Sequence, residues 1–156
     1  MIEIDIPGYR SLRLEHLVCD FNGTLALDGK PVPGVRSLLQ KLSDRISVHV
    51  VTADTFGAVR EELADAPCRI SVLPPGKEDW GKLELVRRLG AERTVCIGNG
   101  RNDRRMIEEA ALGIVVVLAE GAAVKTLMSA DVVAPDVVSA LELLAYPLRL
   151  VATLRC

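Results

Sequence analysis

Aromatic residues are scarce: two Phe, two Tyr and one Trp make up 3% of the 156 residues. The chain therefore lacks the material for a base-stacking surface. It also lacks a surplus of positive charge, since 19 Lys and Arg face 21 Asp and Glu for a net charge of −2. Strong sequence-independent nucleic-acid binding is thereby excluded, although a local basic patch is not. No run reaches the ~18 apolar residues of a membrane span, so no membrane insertion is expected. The first fifteen residues carry Glu3, Asp5 and Glu15 and no apolar leader core, so no secretory signal is visible. Cys19, Cys68, Cys96 and Cys156 are scattered, with no Cys-x-x-Cys pair and no Cys/His cluster. That pattern argues against zinc and for reduced thiols in a cytoplasmic protein. Internal repeats, low-complexity tracts and linkers are absent as well. One domain over 1–156 is expected, because two halves would have thin cores. What remains, 49% hydrophobic and 26% charged residues, is the composition of a packed globular protein.

The apolar residues alternate between two periods. Short β-branched runs at 16–21, 46–52, 69–73, 94–97, 113–118 and 131–133 read as strands. Between them lie stripes at helical spacing: Val35, Leu38, Leu39 and Leu42; Val59 and Leu63; Leu83, Leu85, Val86 and Leu89. Further stripes are Met106, Ile107, Ala110 and Ala111; Val124, Leu127 and Met128; and 137–144. Nearly all-apolar strands alternating with helices predict an α/β domain, a Rossmann-like parallel sheet flanked by helices. Gly90 would close the third helix as a left-handed cap. Asp28-Gly29 reads as the turn of a hairpin within 24–33. Ile2, Ile4 and Ile6 alternate, so residues 1–15 are expected to add a strand at the sheet edge, with a turn at Pro7-Gly8. The segment 146–156 carries Leu148, Leu150, Val151 and Leu154 after Pro147 and is apolar enough to dock on the domain or to form an oligomer contact.

An open parallel sheet binds ligands outside the carboxyl ends of its strands. Four strand ends therefore matter. The first reads Cys19-Asp20-Phe21-Asn22-Gly23-Thr24. An aspartate there can be a nucleophile or a metal ligand; the same residues also make an Asx-turn. The second ends in Thr52, a hydroxyl that can hold a phosphoryl oxygen or, like Asp54, cap the next helix. The third is a lysine near the start of the third helix, Lys82 or its competitor Lys77. The fourth is Ile97-Gly98-Asn99-Gly100-Arg101-Asn102-Asp103, a strand running into two glycines and a polar turn suited to an anion or a metal-bound phosphate. Two carboxylates, a hydroxyl and a lysine on one sheet edge are the parts of magnesium-assisted phosphoryl transfer.

In this order the motifs resemble those of the haloacid dehalogenase superfamily, over about 17–144. Asp20 to Thr24 is similar to its Asp-x-x-Gly-Thr motif, Thr52 to its second, Lys82 to its third, and Gly98 to Asp103 to its Gly-Asp-Gly-x-Asn-Asp motif. The chain as a whole is similar to the small soluble phosphatases that look like the phosphorylation domain of P-type ion pumps. The resemblance implies a phosphatase in which Asp20 forms an aspartyl-phosphate and Thr52 and Lys82 hold the transferring oxygens. It implies Mg²⁺ held by Asp20, the backbone carbonyl of Asn22 and Asp103, with Asn99 adding an amide oxygen. Gly23, Thr24, Ala53 and Arg101 would contact the phosphorylated substrate.

Two positions depart from the pattern. Asn22 stands where phosphatases of the superfamily carry a second aspartate, the general acid–base, whose help is typically worth about 10²–10⁴-fold. Asn99 stands where the fourth motif carries aspartate, which weakens the metal site. A slow phosphatase and a non-catalytic module that binds a partner or a phosphorylated ligand are both compatible with these changes. Asp20 and Thr52 are only 32 positions apart, and Thr52 and Lys82 only 30. Neither gap holds a cap domain, so an open site is expected, accepting a macromolecular substrate or closed by a second copy in a homo-oligomer. Arg101, Arg104 and Arg105 either contact an anionic substrate or pair with Glu108 and Glu109 in solvent. His49 and Cys19 read as core, His16 has no evident partner, and Trp80 is expected to pack at a helix start.

Overall fold

The apolar runs assemble into one six-stranded parallel sheet. Its strands are β3 (His16–Asp20), β6 (Ser47–Thr52), β7 (Arg69–Val72), β8 (Thr94–Gly98), β9 (Leu112–Val116) and β10 (Val132–Ala134). The computed structural model describes residues 1–53 and 57–156, so the predicted turn role of Asp54 lies outside the described residues. The strand order is β10-β9-β8-β3-β6-β7, and every neighbouring pair is parallel. The chain thus builds outward from β3 in one direction, then returns to the other side of β3 with β8. The reversal opens a crevice between the carboxyl ends of β3 and β8, where Cys19 pairs with Ile97.

Alternation decides which side each strand residue faces. Leu17 and Cys19 of β3, Val95 and Ile97 of β8 and Ile114 and Val116 of β9 join one core layer, whereas Val18, Cys96 and Val115 join the other. The first layer is covered by α1 (Val35–Ser43), α6 (Val137–Ala145) and Leu150 of α7 (Pro147–Leu154). The second is covered by α3 (Glu78–Leu89) and α4 (Arg104–Glu109) through Leu85, Val86, Met106 and Ile107. A one-residue slip of any central strand would exchange its two apolar faces, so the buried layers fix the register. Asp136 caps α6, accepting the Ser139 N–H at 2.7 Å.

Other expectations come out differently. Residues 1–15 do not extend the sheet edge. They form their own antiparallel hairpin, β1 (Ile2–Ile6) and β2 (Arg10–Leu14). Its Ile2, Ile4, Ile6, Leu12 and Leu14 are buried on the first core layer. The alternation specified one buried face, not which surface would bury it. The C-terminal segment closes over this hairpin: Leu150 is buried, α7 packs on β1, and the Cys156 N–H donates to Pro7 O at 3.1 Å. Leu148 on the same helix stays exposed. The hairpin within 24–33 is β4 (Ala26–Leu27) and β5 (Lys30–Pro31), turned by Asp28 at φ 50° and Gly29 at φ 76°. Helix α2 (Ala58–Glu62) is short but buries Val59, with Leu63 buried just beyond it. Helix α5 (Val124–Leu127) buries only part of its apolar stripe: Leu127 packs partly buried on the second layer, Val124 and Met128 are exposed, and the buried residue is Thr126, whose hydroxyl donates to Gly100 O at 2.9 Å. Gly90 closes α3 at φ 97° and ψ 101°, outside the left-handed helical region. His16 does have a partner, its Nδ1 lying 3.3 Å from Nε2 of the buried His49. Trp80 is half-exposed, with the Arg105 guanidinium 4.1 Å above its ring. All four cysteines are free thiols. No single helix among the described residues is long and apolar enough to cross a membrane.

Strand β9 and helix α4 meet at Gly113, where a Cβ would lie 2.6 Å from the backbone oxygen of Ile107. A backbone atom cannot swing aside. Gly113→Ala is therefore expected to cost about 1–3 kcal/mol, read as a lower urea midpoint at unchanged slope.

Candidate active site

Strand β3 ends on Asp20, and the loop after it folds back on itself. Ala26 and Thr24 N–H groups donate to Phe21 O at 2.9 and 3.2 Å, and the Gly23 N–H donates to Ala26 O at 2.8 Å. Gly23 turns the chain at φ 77°. This tight loop carries Thr24 inward, where its hydroxyl reaches Asn99 Oδ1 at 3.1 Å and Asp20 Oδ2 at 3.5 Å.

Helix α3 begins one turn before Lys82 and carries that side chain into the interior, where none of its surface reaches solvent. The Lys82 Nζ donates to Asp103 Oδ1 at 2.6 Å, Asp20 Oδ1 at 2.7 Å and Asn102 Oδ1 at 3.3 Å. A buried ammonium is tolerable only with such partners. Lys77, by contrast, is exposed at the helix N-terminus. Asp103 is also wholly buried. Its Oδ2 accepts the Asn99 and Gly100 N–H groups at 2.9 and 2.8 Å, which fixes the turn after β8.

The buried triad holds two carboxylates and one ammonium. Burial, and then the charge of Asp103, push the Asp20 carboxyl up from its ordinary 3.8 to about 7, against the pull of Lys82. The Lys82 ammonium is held above its ordinary range: burial opposes its charge, but Asp103 and Asp20 outweigh burial.

Above the triad lies a cleft of about 950 Å³. Asp20, Asn22, Thr52, Ala53, Asn99 and Arg101 line it. Two expected substrate contacts do not. Thr24 is wholly buried with its hydroxyl engaged by Asn99 and Asp20, and Gly23 is covered: a Cβ there would lie 2.5 Å from Glu120 Oε2 and 2.7 Å from Asn99 Nδ2. Nor does Asp103 face the cleft, since Lys82 and two backbone N–H groups occupy both of its oxygens. It positions Lys82 and the turn after β8. Residues with oxygens that line the cleft and could hold a cation include Asp20, Asn22, Asn99 and Glu120. No group of three or more His, Cys, Asp or Glu side chains that could hold a metal occurs among the described residues. One or two carboxylates with carbonyl oxygens and water still suit Mg²⁺, and the triad's surplus negative charge calls for a cation, so the residues fit.

Arg101 has no ion-pair partner among the described residues. Arg104 reaches Glu108 at 3.8 Å, and Arg105 pairs with Asp79 rather than Glu109, at 2.9 Å. Glu109 pairs with Arg87 instead. Glu120, on the turn after β9, also lines the cleft. Nothing in its local pattern announced it: the turn reaches the site only because the Asn99 Nδ2 donates to Gly121 O at 3.0 Å and the Ala123 N–H donates to Asn99 O at 2.9 Å.

The raised Asp20 carboxyl sets a pH dependence. In metal-free buffer the native state keeps a proton that the unfolded chain has lost between pH ~4 and ~7, so stability falls as pH rises through that window. Asp20→Asn is expected to lose this fall and to melt higher than the parent at pH 8, at ~2–4 °C per kcal/mol. Thermal scans of both proteins at pH 5 and pH 8 in chelator check it.

No family model matches the chain. An uncharacterised protein of Methanocaldococcus jannaschii is 42% identical over 84 residues, which are 51% of this chain and 90% of that protein. Among solved structures, the fold is similar to a 3-deoxy-D-manno-octulosonate 8-phosphate phosphatase from Moraxella catarrhalis, solved with magnesium, phosphate and the sugar acid. That likeness has a TM-score of 0.70 at 15% identity and covers 91% of this chain and 87% of that one. The cobalt-bound form of the Haemophilus influenzae phosphatase for the same compound matches at TM-score 0.66 and 17% identity, covering 80% and 79%. A phosphoserine phosphatase in its apo form matches at 0.69 and 15%, covering 86% and 99%. The chain belongs to one family with the Methanocaldococcus jannaschii protein, and its fold is that of the haloacid dehalogenase superfamily phosphatases.

Proposed function

We propose that the protein is a magnesium-dependent phosphohydrolase that transfers a phosphoryl group to Asp20. The observation that carries this reading is the contact of Asp20 Oδ1 with the buried Lys82 Nζ, 2.7 Å apart, at the floor of the open cleft. A carboxylate repels a phosphate dianion, and a fixed ammonium beside it offsets that repulsion where charge builds up. An Asp20 carboxylate oxygen attacks phosphorus, forming a P–O bond as the bond to the substrate's ester oxygen breaks. Thr52, buried at the end of β6 and lining the cleft, orients the transferring oxygens. Magnesium, which Asp20 with the Asn22 and Asn99 oxygens would hold, would supply positive charge that favours ionised Asp20 and offsets the negative charge of the phosphoryl group. Water then attacks the phosphorus of the acyl phosphate, releasing inorganic phosphate and regenerating the carboxylate.

The leaving oxygen needs a proton, and the water must lose one. Asn22 lines the cleft at the residue two beyond Asp20 but has an amide, which cannot do either. Slow turnover and a long-lived aspartyl-phosphate follow. The same amide supports a second reading, in which the cleft binds a phosphorylated ligand without turning it over. On the substrate side, Arg101 stands at the cleft and also lines a neighbouring cavity of about 260 Å³ with Arg104, Arg105, Lys125 and Asp79. That cationic rim favours a phosphorylated substrate bearing further negative charge, and the open cleft leaves room for a macromolecular one.

A chromogenic phosphoester with and without Mg²⁺ tests the reading. Turnover is expected to require Mg²⁺, to vanish in Asp20→Asn and to rise by about 10²-fold in Asn22→Asp, the low end of general acid–base help. Acid quenching should trap stoichiometric, base-labile phosphate on the parent but not on Asp20→Asn. Absence of both turnover and trapped phosphate would leave the binding reading in its place.

A further inference from the structure

The cleft contains one carboxylate that the phosphohydrolase reading does not use. Glu120 lies on the turn between β9 and α5, lines the cleft, and makes no ion pair or hydrogen bond among the described residues. Its carboxylate lies over Gly23. A methyl group built on that glycine would stand 2.5 Å from Glu120 Oε2, 2.7 Å from Asn99 Nδ2 and 3.0 Å from Asn99 Oδ1. The Glu120 carboxylate and the Asn99 amide thus meet over the Gly23 Cα, directly after the Asn22 carbonyl and three residues beyond Asp20.

The amide at 99 has a reason to be an amide. Its Nδ2 donates to Gly121 O, and its Oδ1 accepts from the Thr24 hydroxyl. A backbone carbonyl can only accept, so the nitrogen must face Gly121. Aspartate at this position would set an oxygen against that carbonyl, lose the bond that ties down the Glu120 turn, and place a second negative charge beside Glu120. The two positions are therefore coupled: an amide at 99 permits a carboxylate at 120, and holds its turn over the site.

We propose that Glu120 supplies the second carboxylate of the magnesium site, directly or through a bound water, in the place of residue 99. Asn99 is the clamp that positions it. The inference rests on the metal-dependent reading of the cleft, and its test does not require turnover.

Mg²⁺ affinity is measured by isothermal titration, with Mn²⁺ paramagnetic resonance as a second reading, on the parent, Glu120→Gln, Asn99→Asp, the double variant and Asp20→Asn. Glu120→Gln is expected to weaken binding by about 10-fold or more, with the melting temperature in chelator unchanged or raised. Asn99→Asp should lower that melting temperature in the parent background and much less in Glu120→Gln. The double variant, which moves the charge back to 99, should recover most of the lost affinity. Unchanged affinity in Glu120→Gln, together with weakened binding in Asp20→Asn, would overturn the role of Glu120 and leave the metal reading standing. No Mg²⁺ binding by the parent would overturn both. Equal destabilisation by Asn99→Asp in both backgrounds would overturn the coupling.

Discussion

The ammonium of Lys82, buried between Asp20 and Asp103, ties together three parts of the chain that are far apart in sequence. Asp20 ends β3, Lys82 sits one turn into α3, and Asp103 follows β8. A lysine with no exposed surface would be strongly unfavourable without a carboxylate beside it. Asp20 depends on it in turn, since burial and the charge of Asp103 both oppose its ionised form and Lys82 favours it. The contact therefore acts as a latch on the carboxyl edge of the sheet. It also leaves the site one positive charge short, and that deficit is what a divalent cation answers.

Asp103 shows how one residue serves both stability and chemistry without touching the cleft. One oxygen holds Lys82, and the other gathers the two N–H groups of the turn after β8. That turn in turn fixes Asn99, whose side chain reaches the loop after β3 on one side and the turn after β9 on the other. Three loops from three neighbouring strands are thus held by side-chain and backbone bonds rather than by apolar packing, which suits a water-filled cleft. The apolar layers below supply the rigidity on which such a site depends.

Much of this architecture was legible before any coordinates. The β-branched runs, the helical stripes and the motif order placed Asp20, Thr52 and Lys82 on one edge of a parallel sheet, because each signal is local and the sheet topology converts it into proximity. The choice of Lys82 over Lys77 rested on the likeness of the run from Lys82 to Gly90 to the superfamily's usual helix, not on the residues alone. What failed to show were the features set by tertiary partners. The alternation in residues 1–15 named a buried face but not that α7 and the first core layer would bury it. Thr24 and Asp103 bear the right groups for substrate and metal, yet their hydrogen bonds are spent inside the protein. The stripe Val124, Leu127 and Met128 looked like a core face, but the turn before it is held by polar bonds and the helix stays short.

Glu120 is the clearest case of a residue that local sequence could not assign. It lies in a polar turn with no periodicity, and its distance from Asp20 along the chain carries no information about the cleft. Its placement follows from a chain of constraints: β9 lies beside β8, the Ala123 N–H bonds to Asn99 O, and the Asn99 amide bonds to Gly121 O. Each link needs a particular chemical group, and the last needs a donor that aspartate lacks. The departure at 99, which by itself reads as the loss of a metal-site carboxylate, is in this light also the condition for bringing another carboxylate to the same place. The departure at 22 has no such counterpart: among the described residues that line the cleft, Glu78, Asp79 and Glu120 are the carboxylates besides Asp20. Asp79 is held by Arg105, and Glu78 stands on the first turn of α3. On the proposed reading, charge for binding is relocated to Glu120, while proton transfer at residue 22 is not replaced in kind. On the proposed reading, a site with its cation-binding charge restored and its acid–base residue missing would hold a phosphoryl group longer than it takes to accept one.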